Sequence, residues 1–413
     1  MPINLSSKKR VESVADLKEV IEKNLSSSTS ELLEITLKGA IDLNSSDLHF
    51  EVQKTKVKLR LRIDGVLQEI LEFDLKDYKR ILSRLKLTSK AKLNITSLPQ
   101  AGRFTILNGE NQIEIRTSTL PTEYGESIVL RILNPERLIN LDKLGLRKDL
   151  LELFKKEIKK PNGMIIITGP TGSGKTTTLY AFLKTIYGPG EKIITIEDPI
   201  EYHLKGISQT QTNPAKGYDF ASGLKSIMRQ DPDIILIGEI RDSQTSKIAL
   251  QAALTGHLVF TTLHTNDAAG TVARLVSLQA NPINIGPAIN LIIAQRLVRN
   301  VCKKCRVPKK ISDIEMKEIK KKLKGVPFPP SYKTFKAKGC KYCNFTGYSG
   351  RTGIFEALVV DEEIENFILK NQSIAALRKE ALKKGLITIQ QDGLIKFLQG
   401  TTTLEEVKRV TGL

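Results

Sequence analysis

Acidic residues are in short supply in this chain. Its 413 residues carry 45 Asp+Glu against 64 Lys+Arg, a formal charge of +19 with a pI near 9.6. Such a balance raises nucleic acid or an anionic membrane as partners until the charges are located. Cysteine is scarcer. Four in a chain of this length cannot make a disulfide framework, and their grouping as two Cys-x-x-Cys pairs points to a reducing compartment and a metal. Long hydrophobic runs are missing too. The uncharged stretch Val276 to Gln295 carries Asn281, Pro282, Asn284, Pro287 and Asn290, and the N-terminus MPINLSSKKRVESV has no apolar signal core. A cytoplasmic chain is therefore expected, with any membrane role peripheral or through partners. What is present is 40% hydrophobic residues over a length suited to about two to three domains, enough to bury real cores.

The first thirty residues read as a short helical pattern, VADLKEVIEKNL, closing on the polar run SSSTS, a leader and hinge (1–30). In KVKLRLRIDGVLQEI, Val57, Leu59, Leu61 and Ile63 alternate with Lys56, Lys58, Arg60 and Arg62 before Asp64-Gly65, which predicts a half-buried hairpin. Arg60 and Arg62 belong to its polar face. With NQIEIRTSTL and ESIVLRIL it makes a small mixed α/β domain, 31–136, followed by a linker, 137–150. From Gly163 the pattern changes to short β-branched runs, MIIIT, KIITIED, DIILIGEI and LVFTTLHT, each leading into a polar loop or helix. Strands of that kind predict a mainly parallel sheet flanked by helices, so the core, 151–295, is α/β. A lysine-rich insertion holding the cysteines occupies 296–350, and 351–413 reads as helical. No fixed-period repeat is seen.

Gly169, Pro170, Thr171, Gly172, Ser173, Gly174, Lys175 and Thr176 spell GPTGSGKT, a full G-x-x-x-x-G-K-T between the strand MIIIT and the helix-like run TTTLYAFLKTI, which opens with Thr176 and Thr177. Glycines let backbone N–H groups face phosphates, and the helix N-terminus adds partial positive charge. Lys175 would reach the β- and γ-phosphates of ATP. Thr176 would supply a hydroxyl to Mg²⁺. Such a loop needs an acid on a neighbouring strand to hold metal and attacking water. Glu239, ending IILIGEIRD, and Glu197, in TIEDPIE with Asp198 and Glu201, both qualify, and either could polarise water. His257 and His264 flank LVFTTL, where a neutral imidazole could sense the γ-phosphate.

GPTGSGKTTTLY, ITIEDPIEY, RQDPDIILIGEIRD and ALTGHLVFTTLHTNDA stand in the order and approximate spacing of the Walker A, Asp box, Walker B and His box. The chain thereby resembles the type II secretion and type IV pilus assembly ATPases, the GspE/PilB group. SSDLHFE, RLRIDGVL, LPQAGR and RTSTLPTEYGESIVLR resemble that family's second N-terminal domain, which is PAS-like, and GRTGIFEAL with DGLIKFLQGTTTLEEVKRVT resembles its C-terminal region. The resemblance implies a RecA-like P-loop core in a homo-hexameric ring. The ring would turn ATP hydrolysis into pseudopilus or pilus assembly through an inner-membrane platform protein. It also implies arginines that stabilise charge on ATP, matched here by Arg116, Arg131 and Arg229. Lys225 stands where the family commonly has another arginine, Ala101 where it usually has aspartate, and the family's usual first N-terminal domain has no counterpart. His203 is assigned no role.

Cys302-x-x-Cys305 and Cys340-x-x-Cys343 can place four thiolates around one Zn²⁺, with two disulfides or an iron–sulfur cluster as alternatives. Assembly and secretion members of the family carry such an element and retraction members usually lack it. A closed four-cysteine site leaves no open position for substrate, so the zinc is structural. Between Arg296 and Arg351 stand 17 Lys+Arg against Asp313, Glu315 and Glu318, so 17 − 3 = +14 of the +19 falls on this module. Anionic lipid or an acidic partner is the expected counterpart, rather than nucleic acid. Other readings are the motor of a DNA-uptake pseudopilus, a nucleic-acid-binding ATPase whose module grips phosphates, and a scaffold that binds ATP without turnover.

Overall fold

The computed structural model describes residues 3–5, 10–109, 111–327, 331–370 and 373–413. Parts of the expected leader (1, 2 and 6–9) and of the cysteine module (328–330) lie outside the described residues. The chain divides into two compact units. One comprises Met1–Arg137, Cys302–Val307 and Ala337–Gly350; the other comprises Leu138–Val301, Pro308–Lys336 and Arg351–Leu413.

The first unit holds strands β1 (Ile3–Asn4), β2 (Asp47–Val52), β3 (Lys56–Ile63), β4 (Val66–Asp74), β5 (Gln100–Asn108), β6 (Asn111–Thr122) and β7 (Gly125–Leu133). They form one sheet in the order β1-β5-β6-β7-β2-β3-β4. Helices α1 (Val14–Lys23), α2 (Thr29–Asp42) and α3 (Leu75–Thr88) accompany it. Alternation along β3 buries Val57, Leu59, Leu61 and Ile63, and the chain reverses at Asp64-Gly65 into β4. The polar run SSSTS begins a helix: the Ser28 hydroxyl accepts from the Glu31 N–H and caps α2. α1 buries Leu17 and Ile21 in the same core as Phe50, Phe73 and Tyr78.

Within this core Lys86, only 2% exposed, donates to both oxygens of Glu126 at 2.9 Å and to the Ile95 carbonyl at 2.7 Å. Removing one partner strands a buried charge. Lys86→Met is therefore expected to destabilise this unit by about 3 kcal/mol, and Lys86→Met with Glu126→Leu by much less, as read by urea unfolding.

The second unit is built on a sheet in the order β10-β9-β11-β12-β8-β13-β16. Its strands are β8 (Gly163–Thr168), β9 (Ile193–Glu197), β10 (Ser208–Gln211), β11 (Ile234–Ile237), β12 (Leu258–Leu263), β13 (Ile289–Val301) and β16 (Tyr348–Val359). β14 (Arg306–Pro308) and β15 (Phe335–Ala337) form a separate pair. β8 through β13 pair in parallel. β8 is buried on both faces. Met164 and Ile166 point into one core with α6 (Phe220–Ile227), α7 (Ser243–Leu254), α8 (Ala268–Ser277), α9 (Pro282–Ala288), α11 (Glu362–Lys370) and α12 (Ile374–Lys383). Ile165 and Ile167 point into another with α4 (Lys148–Glu157) and α5 (Lys175–Ile186). The sheet is thus covered on both sides, as an apolar parallel sheet requires.

α10 (Asp313–Lys322) packs Ile319 against α13 (Ile389–Leu398) and α14 (Leu404–Thr411). The C-terminal segment is helical from Glu362 onward, while the stretch before it runs as β16 at the sheet edge. Much of 138–150 is fastened to this unit. Leu141 and Leu144 are buried in its core, Arg147 donates to the fully buried Asp392 at 2.7 Å, and Lys396 donates to the Gly145 carbonyl.

Candidate functional site

The C-terminal ends of β8, β12 and β11 lie side by side, since Thr168 is in register with Leu263 and Ile237 with Thr261. Ligands of open parallel sheets bind at such carboxyl ends. The loop from Gly169 to Gly174 leaves β8 there and enters α5. Two of its glycines are required by geometry. Gly174 caps α5 with φ +88°, and a Cβ on Gly169, at φ +149°, would sit 2.4 Å from the Gln295 carbonyl oxygen. The Lys175 ammonium folds back over the loop, donating to the Gly169 oxygen at 2.8 Å and the Pro170 oxygen at 3.3 Å. Burial holds its pKa below the ordinary lysine value, against the pull of Glu239 and Glu201. A cation held by carbonyls at the mouth of a glycine-rich loop fits a phosphate-bearing ligand, which would offer it stronger acceptors.

Glu239 follows β11 and is held by its neighbours. The Gly238 N–H donates to the Ile196 oxygen at 2.8 Å, and the Thr262 hydroxyl donates to the Gly238 carbonyl at 2.7 Å. One Glu239 oxygen pairs with Arg241, and the other lies 3.4 Å from His264 Nε2. His264 is placed through the residue after it, because the Thr265 N–H donates to the Thr168 hydroxyl at 2.8 Å. Burial, and then the Lys175 charge, hold the His264 pKa below the usual histidine value, so the ring is neutral at pH 7.

Glu197 ends β9 with its backbone beside Gly238, but its side chain is engaged by other neighbours. Its carboxylate, in a residue 4% exposed, accepts from the Tyr180 hydroxyl, from Thr195 Oγ1 at 2.6 Å and from Gln209 Nε2 at 3.1 Å. Three donors thus hold this carboxylate in place. Burial, and then the Glu197 charge, push the Tyr180 hydroxyl pKa up, which keeps it a donor. His257 bonds the Ala252 carbonyl through Nδ1 at 3.0 Å and is satisfied locally.

The arginines are dispersed. Arg229 is exposed after α6, with a guanidinium nitrogen 3.3 Å from Ser226 Oγ. Arg116 and Arg131 belong to the first unit, where strand register sets Arg103, Arg116, Arg131, Asp47 and Arg62 in one row on one face. Asp47 accepts from Arg131 Nε at 3.0 Å.

The four cysteines converge within the first unit. Their sulfurs all lie within 4.8 Å of one another, with Cys305 to Cys343 at 3.8 Å and Cys340 to Cys343 at 3.7 Å. All four are free. Zinc–sulfur bonds of about 2.3 Å in a tetrahedron demand edges of about 3.8 Å, so the cluster fits Zn²⁺, whereas disulfides would need about 2.05 Å. Burial pushes the Cys305 thiol up to about 12, and the Cys343 N–H holds Cys340 down to about 7.

A family model described as "Type II/IV secretion system protein" matches residues 22–409. The chain belongs to that family. It is 40% identical over 399 residues to the type II secretion system protein E of Pseudomonas aeruginosa, covering 96% of this chain and 78% of that one. It is 42% identical over 385 residues to the type IV pilus assembly ATPase PilB of Thermus thermophilus, covering 92% of this chain and 43% of the relative. A solved structure of the pilus retraction motor PilT with bound ADP superposes with a TM-score of 0.60 at 27% identity, covering 91% of this chain and 96% of that one. The family is one of ATPases, and the α/β architecture expected from the sequence agrees with that of its members.

In this secretion-family ATPase two neighbours of the site escaped sequence reasoning. Arg241, beside Glu239, is indistinguishable in sequence from an ordinary loop arginine. Gln295 announces itself only as a polar residue inside the apolar run LIIAQ.

Proposed function

We propose that this chain is a Mg²⁺-dependent ATP-hydrolysing motor that drives pseudopilus or pilus assembly, working as a homo-hexamer on an inner-membrane platform protein. The observation that carries the reading is the meeting of Lys175, Glu239 and His264 at the ends of adjacent strands. Lys175 and the backbone N–H groups of Gly169 to Thr177, apart from Pro170, hold the phosphates. Thr176 and Glu239 hold Mg²⁺, which offsets phosphate charge when bound. Arg116, Arg131 and Arg229 are the charge-stabilising candidates, and His264 reads the γ-phosphate in its neutral form. Cys302, Cys305, Cys340 and Cys343 hold a structural Zn²⁺. That relatives are named as secretion and pilus assembly proteins, and that PilT was solved with ADP, supports this assignment.

Among the described residues no helix is long and apolar enough to cross a membrane. Membrane recruitment would then fall to the basic module, where α10 ends in Lys320, Lys321 and Lys322. Reversing those three charges is expected to abolish co-sedimentation with phosphatidylglycerol vesicles while leaving basal ATP turnover intact. The competing reading, a nucleic-acid-binding ATPase, requires DNA-stimulated turnover that falls steeply with salt. That result, with no vesicle binding, would replace the motor assignment.

A further inference from the structure

Gln295 is 2% exposed and directly follows the buried apolar run Leu291–Ala294 of β13. The register of β13 on β8 pairs Ala294 with Thr168 and so brings Gln295 to the start of the phosphate loop. Its Nε2 donates to the Ser173 carbonyl at 2.8 Å, and its Oε1 accepts from the Thr178 hydroxyl at 2.8 Å. One amide thus ties the loop to the first turns of α5. The Nε2 atom also lies 2.9 Å from where a Cβ on Gly174 would stand, so loop and side chain are in close contact.

In a trans peptide the C=O and N–H point in opposite directions. Drawing the Ser173 carbonyl toward β13 therefore turns the Gly174 N–H away from β13, into the loop where a phosphate would meet it. We propose that Gln295 is a positioning residue for the nucleotide, fixing the Ser173–Gly174 peptide in its phosphate-accepting orientation. It acts through the loop and touches neither the reacting phosphate nor the metal. The inference rests on the nucleotide reading of the loop.

The test uses the full chain and ADP with Mg²⁺ in titration calorimetry, together with steady-state ATP turnover. Gln295→Leu removes both bonds at nearly constant volume. Gln295→Glu keeps the acceptor for Thr178 and replaces the donor to Ser173 by an acceptor. Each is expected to raise the ADP Kd and the KM for ATP by about tenfold while kcat at saturating ATP falls by less than about threefold. Thr178→Val, which leaves the Ser173 bond in place, is expected to cost only about twofold. A merely structural role for Gln295 would lower the unfolding temperature without separating KM from kcat.

ADP affinity within about twofold of wild type in any folded Gln295 variant would overturn the inference. If neither variant folds, Thr178→Val with wild-type affinity supports it, because the Ser173 bond is then sufficient, and a tenfold loss there contradicts it. Failure of the wild type to bind ADP would overturn the nucleotide reading and this inference together. Wild-type binding with unaltered variants overturns this inference alone.

Discussion

Glu239→Gln is expected to lower ATP turnover by about 10²-fold or more while leaving ADP affinity within a few-fold of wild type. The side chain, largely buried with 13% of its surface exposed, stands at the end of β11, close to His264 and within the field of Lys175. Glutamine keeps its shape and loses the charge that would hold metal and orient water. Glu197→Gln should behave differently, because that carboxylate is engaged by Tyr180, Thr195 and Gln209. An amide there meets a donor with a donor and costs about 1–3 kcal/mol of stability. Calorimetric melting and turnover of both variants separate the roles. A Glu197→Gln protein with wild-type melting and no turnover would reverse the assignment.

The second large effect concerns zinc. The purified chain should carry about one Zn²⁺, and Cys302→Ser or Cys343→Ser should lose it and loosen the first unit. The cluster does more than close a loop. The Asn344 side chain accepts from the Val14 N–H at 2.8 Å, and Lys341 pairs with Asp16 at 2.9 Å, so the residues that follow Cys343 and Cys340 hold the start of α1. Loss of the metal should therefore hasten tryptic cleavage in α1, at Lys18 and Lys23, before any cut in the second unit. The sign with pH follows from the thiols. Cys305, pushed up to about 12, binds metal only as the thiolate, so zinc binding releases a proton and zinc is lost as pH falls. Metal analysis that finds no zinc after reducing purification, or an unchanged cleavage pattern in a zinc-free variant, would contradict this role.

Local chemistry made much of the molecule legible in advance. The alternation of β3, the Asp64-Gly65 reversal, the four apolar strands and the phosphate loop all follow from patterns a few residues wide. What was hidden depends on register and distance. TIEDPIE holds only one of the three donors to Glu197, Thr195; the other two stand on α5 and β10, so its engagement cannot be read from the segment. The arginine row of the first unit exists only once five strands are aligned. The basic module reads as one composition block, 296–350. Its cysteine-bearing ends instead pack with the N-terminal sheet, and 308–336 packs with the nucleotide core. Charge density marks surface, and contacts between apolar side chains decide which body a segment joins. Gln295 is the instructive case: its place after the apolar run Leu291–Ala294 is plain in the sequence, but its partner Ser173 is 122 residues away.

Phosphate release from ATP by the purified full chain, with Mg²⁺ and beside the Lys175→Ala variant, probes the assignment most directly. Turnover is expected in the wild type, lost when EDTA removes Mg²⁺, and reduced to background in Lys175→Ala, which lacks the only cation seen folded over the loop among the described residues. Full turnover by Lys175→Ala, or ADP binding without any hydrolysis by the wild type, would contradict it.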